Sequence, residues 1–202
     1  MSKTLLDVME TKRKLVIVGA GGHGRAVAEA AELEGAWSEI IFVDDNYPGQ
    51  TASGAWKIAG HPGQLGTLAG TGDAFIVAIG NQAARERLIL DLQRLGIPLA
   101  TVIHPRAYVS PYAAVGEGCA VMAGAVVGTA ARLGRGVIVN ANATVDHDVV
   151  VGDFSHLGVG VQLAGGVAIE DRVWLQAGTC AGYRVRVPSD TIVEPGTSLA
   201  AD

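Results

Sequence analysis

Branched aliphatic residues recur at every sixth position over a long stretch of the second half of the chain. A fixed short period is typical of a solenoid, in which each repeat buries its apolar face only by stacking on its neighbours. A β-sandwich rich in valine and glycine would instead show period-two alternation and irregular turn spacing. The pattern therefore predicts short parallel strands joined by corners, with three hexapeptides forming one triangular coil of 18 residues. The twelve positions are Val109, Val115, Val121, Val127, Leu133, Val139, Val145, Val151, Leu157, Leu163, Ile169 and Leu175.

A second row of small or β-branched residues lies four positions after the first, and we expect it to pack beside the corners. Cys119 falls in this row, so its predicted role is packing; with Cys180 as the only other cysteine, no disulfide framework is indicated. Gly, Asn or Asp often follows the aliphatic residue, and these residue types are predicted to adopt the unusual backbone angles of corners. The second row is Ala113, Cys119, Ala125, Ala131, Val137, Ala143, Val149, Ser155, Val161, Val167 and Val173. The predicted corner positions are Gly116, Gly128, Gly134, Asn140, Asp146, Gly152 and Gly158.

The first half of the chain alternates apolar runs with amphipathic segments. The runs KLVIV, EIIFV, AFIVAI and LATVI are predicted as buried strands with two helices between them, which is the order of a small α/β domain with a parallel sheet. Gly and Pro between strands two and three predict a loop over 47–63, with a short helix near 62–68. The predicted strands are 14–18, 39–43, 74–79 and 99–103, and the predicted helices are 25–34 and 82–95.

These patterns divide the chain into a leader of low information, an α/β domain and a repeat domain. His104 and Pro105 mark the second boundary, since the six-residue register begins shortly after them. The repeat is expected to end near Tyr183, because Arg184 and Arg186 interrupt it. The predicted divisions are 1–13, 14–103 and 104–202.

Composition excludes several classes of function. A net charge of −5 disfavours a general nucleic-acid binder, which needs a basic face. No uninterrupted apolar stretch reaches the roughly 20 residues that a membrane span needs, and no signal peptide is evident, so a soluble cytoplasmic protein is expected. The spacing of histidines and carboxylates does not require a metal site, and none is predicted.

The sequence Gly19-Ala-Gly21-Gly-His-Gly24 lies between the first strand and the first helix. It satisfies the G-x-G-x-x-G pattern, and Asp44 follows at the tip of the next strand, as in a dinucleotide site where an acid binds a ribose hydroxyl. The alternative is a simple tight turn. Because the α/β domain holds only half of a dinucleotide fold, we favour a nucleotide-sugar over NAD. Gly80-Asn81 should open on the same edge of the sheet, and Arg85 is either a phosphate contact or an exposed helical arginine.

His147 and Gly165 lie one 18-residue coil apart, each two places after an inward aliphatic residue. They should therefore sit on adjacent rungs of one face, where a histidine base and a backbone amide could perform acyl transfer. Asp146 and Asp148 flank the histidine, and spacing alone does not decide which one orients it. The alternative for His147 is a polar residue on an exposed rung. His156, nine residues later, should not share this face within one subunit; it either meets the site from a neighbouring subunit or caps a corner.

The ordered motifs GAGGHGR, VDDN, AIGN, IHPRAYVSP and NANATVDHDVVVGDFSHLGVGVQLAGGV resemble the sialic-acid O-acetyltransferase/PglD group of sugar acyltransferases, over residues 14–180. The resemblance implies an α/β nucleotide-binding domain followed by a left-handed parallel β-helix of hexapeptide repeats. It implies a homotrimer, an acetyl-CoA donor bound between adjacent β-helices, and a nucleotide-linked amino sugar as acceptor. The tail YRVRVPSDTIVEPGTSLAAD differs from the further coils and G-x-P-A-K/R segment with which relatives usually contain CoA.

Carried over by position, the resemblance implies that His147 is the general base, that Asp148 is its acidic partner and that the Gly165 amide holds the thioester carbonyl. The positions implied or proposed for the nucleotide-sugar are Gly22, His23, Gly24, Asp44, Asp45, Gly80, Asn81 and Arg85. Those implied for acetyl-CoA are His156, Gly165 and Gly178. The expected activity is N-acetylation of a nucleotide-linked 4-amino-sugar. The alternatives are O-acetylation of a sugar, a non-catalytic trimeric scaffold suggested by the atypical tail, and an NAD-linked enzyme.

Overall fold

The structure is a computed structural model that describes residues 13–201 with the exception of residues 69 and 71. The leader prediction for residues 1–13 therefore lies outside the described residues, apart from Arg13. An α/β domain is followed by a left-handed parallel β-helix, as expected.

The α/β domain has a five-stranded sheet in the order β3-β4-β2-β1-β5. Strand β1 lies between β2 and β5, and both pairs are parallel. Alternate residues of β1 enter separate cores: Leu15 and Ile17 pack on the side of α1, and Val16 and Val18 on the side of α3. Burial on both faces explains the continuous apolar runs. The elements are β1 Lys14–Val18, α1 Gly22–Glu34, β2 Glu39–Val43, β3 Ala52–Ser53, β4 Trp56–Gly60, a 3₁₀ turn Pro62–Gln64, α2 Leu65–Leu68, β5 Ala74–Val77 and α3 Gln82–Arg94.

Seventeen two-residue strands form the three faces of a triangular prism. The first face contains β6, β9, β12, β15, β18 and β21, the second β7, β10, β13, β16, β19 and β22, and the third β8, β11, β14, β17 and β20. The strands are β6 Val102–Ile103, β7 Tyr108–Val109, β8 Ala114–Val115, β9 Ala120–Val121, β10 Val126–Val127, β11 Arg132–Leu133, β12 Ile138–Val139, β13 Thr144–Val145, β14 Val150–Val151, β15 His156–Leu157, β16 Gln162–Leu163, β17 Ala168–Ile169, β18 Trp174–Leu175, β19 Cys180–Ala181, β20 Arg186–Val187, β21 Ile192–Val193 and β22 Ser198–Leu199.

The inward rows form the prism core as the period predicts. Partners on stacked strands are 18 residues apart, as in the pairing of Val127 with Val145 and of Val145 with Leu163. Ten of the twelve aliphatic positions are buried in one cluster, and Val109 and Val115 pack against it at one end. Cys119 is buried as a free thiol within the same cluster, so its predicted packing role is confirmed.

The corner prediction was wrong in detail. The glycines directly after the aliphatic residue do not have positive φ; they are required because the next coil's backbone occupies the space of a side chain. A Cβ on Gly128 would lie 2.9 Å from the backbone of Asp146 and His147. The left-handed backbone instead recurs two residues later, every six residues from Gly118 to Gly196, and includes non-glycine residues such as Asp148 (φ 60°).

Three further predictions differ from the structure. The predicted loop over 47–63 contains a hairpin, and its β4 joins the sheet parallel to β2. The predicted strand 99–103 is divided: Leu99 bridges to Phe75 of the α/β sheet, whereas Val102–Ile103 already forms the first rung of the β-helix. Helix α1 begins at Gly22 rather than residue 25.

The repeat also continues past Tyr183. Strands β20, β21 and β22 pair with the coil below, and Val187 and Val193 point into the core. The arginines do not interrupt the register, because Arg184 occupies a corner and Arg186 faces outward. Alternation within each strand leaves the outward position free to be charged.

The α/β domain packs on the lower part of the first face. Ala120 and Met122 share a core with α1, and Phe154 shares one with Ile89 and Leu92 of α3. Side-chain bonds join the domains at both ends of α3: Gln93 donates to Glu117, and Glu86 lies 3.8 Å from Arg172. The carboxyl edge of the α/β sheet is thereby held against the coil that contains His156.

Candidate active site

His147 lies at the corner between the second and third faces, directly after β13. Its Nδ1 is 2.8 Å from Oδ2 of Asp148, and its Nε2 is 3.9 Å from Oδ2 of Asp146. The hydrogen bond to Asp148, and then the charge of Asp146, raise the pKa of His147 above its ordinary value. The side chain is 56% exposed, so the ring is open to an incoming substrate. The structure thus selects Asp148 as the carboxylate that orients the ring.

Gly165 lies directly against this ring, one coil above. A Cβ at that position would be 2.5 Å from both Cε1 and Nε2 of His147, so only glycine leaves room for the imidazole. Arg135 and Asp153 occupy the same position in their repeats as Gly165, two residues after an inward aliphatic residue. Their amides donate to aspartates 18 residues later, at Asp153 and Asp171 respectively. The Gly165 amide donates to no group among the described residues, and it is available to an oxyanion. The predicted one-coil separation is confirmed, whereas the catalytic roles stay predictions.

A groove of about 560 Å³ runs up the second face from Asp146, next to His147. Small residues line its edge one, two and three coils above Asp146, at Ala164, Gly182 and Ala200. Ser198 and Ala201 close the far end, so the C-terminal coils that the sequence left in doubt form part of its wall.

The glycine loop is fixed from several sides. The Ala20 amide donates to Asp44 Oδ2 (2.8 Å), and the Ser53 hydroxyl donates to the Ala20 carbonyl (2.6 Å). Gly24 must be glycine because its Cα lies against the carbonyl of Gly19, and a Cβ would overlap that oxygen. Asp44 therefore shapes the loop, in addition to its predicted role towards a nucleotide.

The first turn of α1 has the properties of an anion site. Its N-cap is Gly21, which has no side chain to satisfy the first amides, and no acidic residue occupies the first turn. Exposed amides at the N-terminus of a 13-residue helix favour a phosphate. Asp45 lies at the same sheet edge, 3.4 Å from Nε2 of His61. On the neighbouring loop, Asn81 caps α3 through the Ala84 amide (2.9 Å), so its side-chain oxygen already has a structural partner.

His156 contacts its own α/β domain, which sequence spacing did not reveal. Its ring stacks on Trp174 with centroids 5.9 Å apart and lies 6.3 Å from the ring of His23. Its Nδ1 is 3.3 Å from the Gly80 carbonyl. The Nε2 atoms of His23 and His156 are buried without a hydrogen-bond partner among the residues that the structure describes. Burial, then the nearby charge of Arg85, lowers the pKa of each histidine to about 4.

Arg85 is not a phosphate contact, and this prediction is corrected. The side chain is fully buried, and its donors are taken up by backbone carbonyls of the Ile79–Gly80 loop and of the β-helix. The position in a polar helix suggested exposure, but α3 packs this side against the prism.

The predicted site residues other than Gly178 fall into two separate regions of one chain. His147, Asp148 and Gly165 lie at the corner between the second and third faces. The residues of the sheet edge lie on the first face with His156, opposite that corner. Gly178 has a left-handed backbone (φ 72°) at the corner between the first and second faces. Trp174 was missed in the sequence because an aromatic residue at an outward strand position has no distinctive spacing.

Comparisons with known proteins identify the chain. The profile of the PglD N-terminal domain matches residues 14–92. The acetyltransferase domain of PglB from Neisseria gonorrhoeae FA1090, solved in complex with acetyl coenzyme A, superposes with a TM-score of 0.88 at 36% identity, covering 94% of this chain and 93% of that one. The chain belongs to the PglD group of hexapeptide-repeat acyltransferases.

Two further proteins are similar to the chain over most of their length. PerB from Caulobacter crescentus, in complex with CoA and GDP-perosamine, has a TM-score of 0.85 at 34% identity, covering 94% of this chain and 91% of that one. GDP-perosamine N-acetyltransferase of Escherichia coli O157:H7 is 26% identical over 167 residues, which are 80% of this chain and 75% of the relative. The described residues of this PglD-group chain include no cluster of three or more histidine, cysteine or acidic side chains able to hold a metal. None of its described helices is long and apolar enough to cross a membrane.

Proposed function

We propose that the protein transfers an acetyl group from acetyl-CoA to the amino group of a nucleotide-linked sugar, by direct transfer. The observation that carries this proposal is the contact between His147 and Gly165, which places a base beside an unused amide. Membership of the PglD group supports the substrate class. The 4-amino position on a deoxysugar is the expected acceptor.

His147 is poised to act as the base. The Asp148 carboxylate can only accept, so the proton of the neutral ring lies on Nδ1 and the lone pair lies on Nε2. As the amine attacks the thioester carbonyl, Nε2 takes its proton, and the carboxylates stabilise the imidazolium that forms. The C–S bond then breaks, and the departing CoA thiolate takes that proton back. The Gly165 amide is placed to stabilise the oxyanion during this exchange.

The groove on the second face is suited to the pantetheine arm of acetyl-CoA. It begins at Asp146, beside the proposed base, and its wall consists largely of small side chains. A shallow, mostly apolar channel can accommodate a long flexible ligand that has few charges along its arm. The acetyl group would then reach Gly165 at the lower end of the groove.

The sheet edge of the α/β domain is the proposed acceptor site. The open first turn of α1 supplies amides for the diphosphate, and Asp44 and Asp45 lie at the tip of β2, where a ribose or base would follow. The PerB structure contains GDP-perosamine, which supports a nucleotide-sugar at this kind of site.

The complete site is proposed to form between subunits of a homotrimer. Within one chain the acceptor edge lies on the first face, whereas His147 lies at the opposite corner. A neighbouring copy must therefore bring its sheet edge, with His156, to the His147 corner. The exposed outward side chains of the second and third faces, such as Tyr108 and Val150, provide surface for that contact.

The test is replacement of His147 by Ala. Turnover with acetyl-CoA and a GDP- or UDP-linked 4-amino-sugar should fall by about 100-fold or more, the scale of a lost general base. Calorimetric affinities for acetyl-CoA and the nucleotide-sugar should change little. Thr129→Ala is the matched control, since Thr129 occupies the same corner position one coil below. Near-normal turnover in the His147 variant would overturn the mechanism.

A hydroxyl acceptor would use the same residues, so O-acetylation is distinguished by substrate: a 4-hydroxy analogue should be inert if the amine is required. The non-catalytic alternative was motivated by the tail. Those residues complete the prism and line the groove, which supports the catalytic proposal over this alternative.

A further inference from the structure

Arg85 is a buried cation whose hydrogen-bond partners within the described part of the chain are all backbone carbonyls. Its Nη1 donates to Ile79 (2.7 Å) and Gly80 (3.0 Å) in the loop that follows β5. Its Nε donates to Gly136 (2.8 Å), and its Nη2 donates to Phe154 and, more weakly, to Ser155 (3.4 Å), all on the β-helix. One side chain therefore connects the Ile79–Gly80 loop of the α/β domain to the β-helix corner at Phe154 and Ser155, which directly precedes β15 and His156.

Burying a charged group costs desolvation free energy, which its hydrogen bonds must offset. Burial lowers the pKa of Arg85 to about 10, so the guanidinium stays protonated at neutral pH. No carboxylate hydrogen-bonds to it among the described residues, and a well-packed apolar side chain would hold two domains together at less desolvation cost. The fixed fork of donors is what an apolar residue cannot supply, because it sets the positions of several carbonyls at once.

The Gly80 carbonyl is the connection between Arg85 and His156. It receives Nη1 of Arg85 and also lies 3.3 Å from Nδ1 of His156. A carbonyl can only accept, so the proton of the neutral imidazole must lie on Nδ1. The Nε2 atom then has a lone pair rather than a proton. This atom is buried in a side chain that is 9% exposed, and it has no partner among residues 13–201, with 69 and 71 excepted.

We propose that Arg85 is a positioning residue that fixes His156 in the Nδ1–H tautomer, so that Nε2 is a hydrogen-bond acceptor at the domain junction. Because this atom is buried, an N–H or O–H group of a substrate reaches it only when binding separates the side chains around the ring. Arg85 acts from two sides, through the Gly80 carbonyl and through the backbone just before His156. The groups that face the ring are His23 from α1, Arg85 from α3 and Trp174 from β18, and none of them is an anion. The inference rests on the proposed function only for the identity of the substrate.

The tautomer can be read directly by ¹⁵N–¹H correlation NMR of histidine-labelled protein. Two histidines of the same chain serve as references, because His61 accepts from the Gly63 amide and His104 from the Arg106 amide, both through Nδ1 at 2.9 Å. Both references must therefore hold the opposite, Nε2–H tautomer when neutral. We expect His156 to show the Nδ1–H pattern in the unliganded wild-type protein. An Nε2–H pattern there would overturn the inference without any variant.

Arg85→Met keeps a similar length and removes the donors, and Arg85→Lys keeps the charge without the fork. Both variants should shift His156 towards the Nε2–H tautomer and lower kcat/KM about 10-fold. His61 and His104 should keep their patterns if the fold is intact. An unchanged His156 tautomer in folded variants would leave Arg85 with only a structural role and would overturn the proposal.

Titration with acetyl-CoA or a GDP-linked 4-amino-sugar, one at a time, identifies the donor group. The substrate that hydrogen-bonds to Nε2 should move its nitrogen resonance, and the absence of any response to both would contradict the ligand-binding part of the proposal. The His147→Ala variant should retain the wild-type His156 tautomer. Failure of the catalytic mechanism and failure of this inference therefore give different results.

Discussion

His147 and His156 lie nine residues apart in the same repeat, yet their surroundings are opposite. The side chain of His147 is 56% exposed and is flanked by two carboxylates that raise its pKa. His156 is 9% exposed and lies beside a cation, and its pKa is lowered to about 4, chiefly by burial. One ring is suited to exchanging a proton near neutral pH, and the other is a hydrogen-bonding group that stays neutral there.

The difference follows from where each residue falls on the prism. His147 occupies a corner, where the chain turns and the side chain projects between two uncovered faces. His156 occupies an outward strand position on the one face that the α/β domain covers. An offset of nine residues, half a coil, is therefore enough to separate a proposed base from a proposed binding group.

The largest change in activity is expected when a chain with a defective His147 and a chain with a defective His156 are combined in one oligomer. If His147 of one chain works with the first face of a neighbour, His147→Ala and His156→Ala chains combined in one trimer should recover activity. In a trimer that contains both chains, the productive order occurs at one of the three subunit contacts, so about one site in three has both histidines intact. Coexpression of differently tagged chains, tandem purification and an acetyl-transfer assay measure the recovery.

The parent homotrimers, purified in the same way, are the controls. Mixed oligomers that remain as inactive as both parents would show that the two regions do not cooperate across a subunit contact. Sedimentation of the mixed sample verifies that both chains are present in one assembly.

The six-residue period predicted the prism, the 18-residue register and the stacking of His147 on Gly165. These features follow from a short pattern that is present in each coil. The environment of Arg85 could not be predicted in this way. Its burial depends on how α3 packs against β-helix residues that are 51 to 70 positions later in the sequence, and a local sequence pattern does not predict contacts at that separation. The repeat end was also misplaced, since outward arginines were mistaken for a break in an inward row that continues through Val187 and Val193.

A smaller effect is expected when the acidic partner of the base is removed. Asp148→Asn deletes the hydrogen-bonded carboxylate that contributes most to the raised pKa of His147. The pKa should fall, so the acid limb of the kcat/KM profile should move to lower pH, while plateau activity falls on the order of 10-fold. Asp146→Asn is the matched control: its oxygen is 3.9 Å from the ring rather than 2.8 Å, and it should move the limb less. Equal shifts for both variants would contradict the assignment of Asp148.

The smallest effect concerns stability, and it has opposite signs for the two histidines. The folded protein resists protonation of His156, whose pKa of about 4 lies below the ordinary value, while the unfolded chain protonates near 6.5. The unfolded state therefore binds more protons between these values, and the stabilisation present above pH 6.5 is lost as pH falls towards 4. His156→Gln should reduce the loss of unfolding free energy between pH 7 and pH 5 by roughly 2 kcal/mol.

His147→Gln is the control for this last measurement because the pKa of His147 is raised. A raised pKa contributes stability at low pH that is lost as pH rises through it, so removing His147 should make the acid loss slightly steeper rather than shallower. Urea unfolding at the two pH values, followed by circular dichroism, gives both slopes. The pH dependence of the unfolding free energy should change in opposite directions in the two variants. A change in the same direction would mean that His147 and His156 do not differ electrostatically as the structure indicates, and it would contradict the separate roles assigned to them.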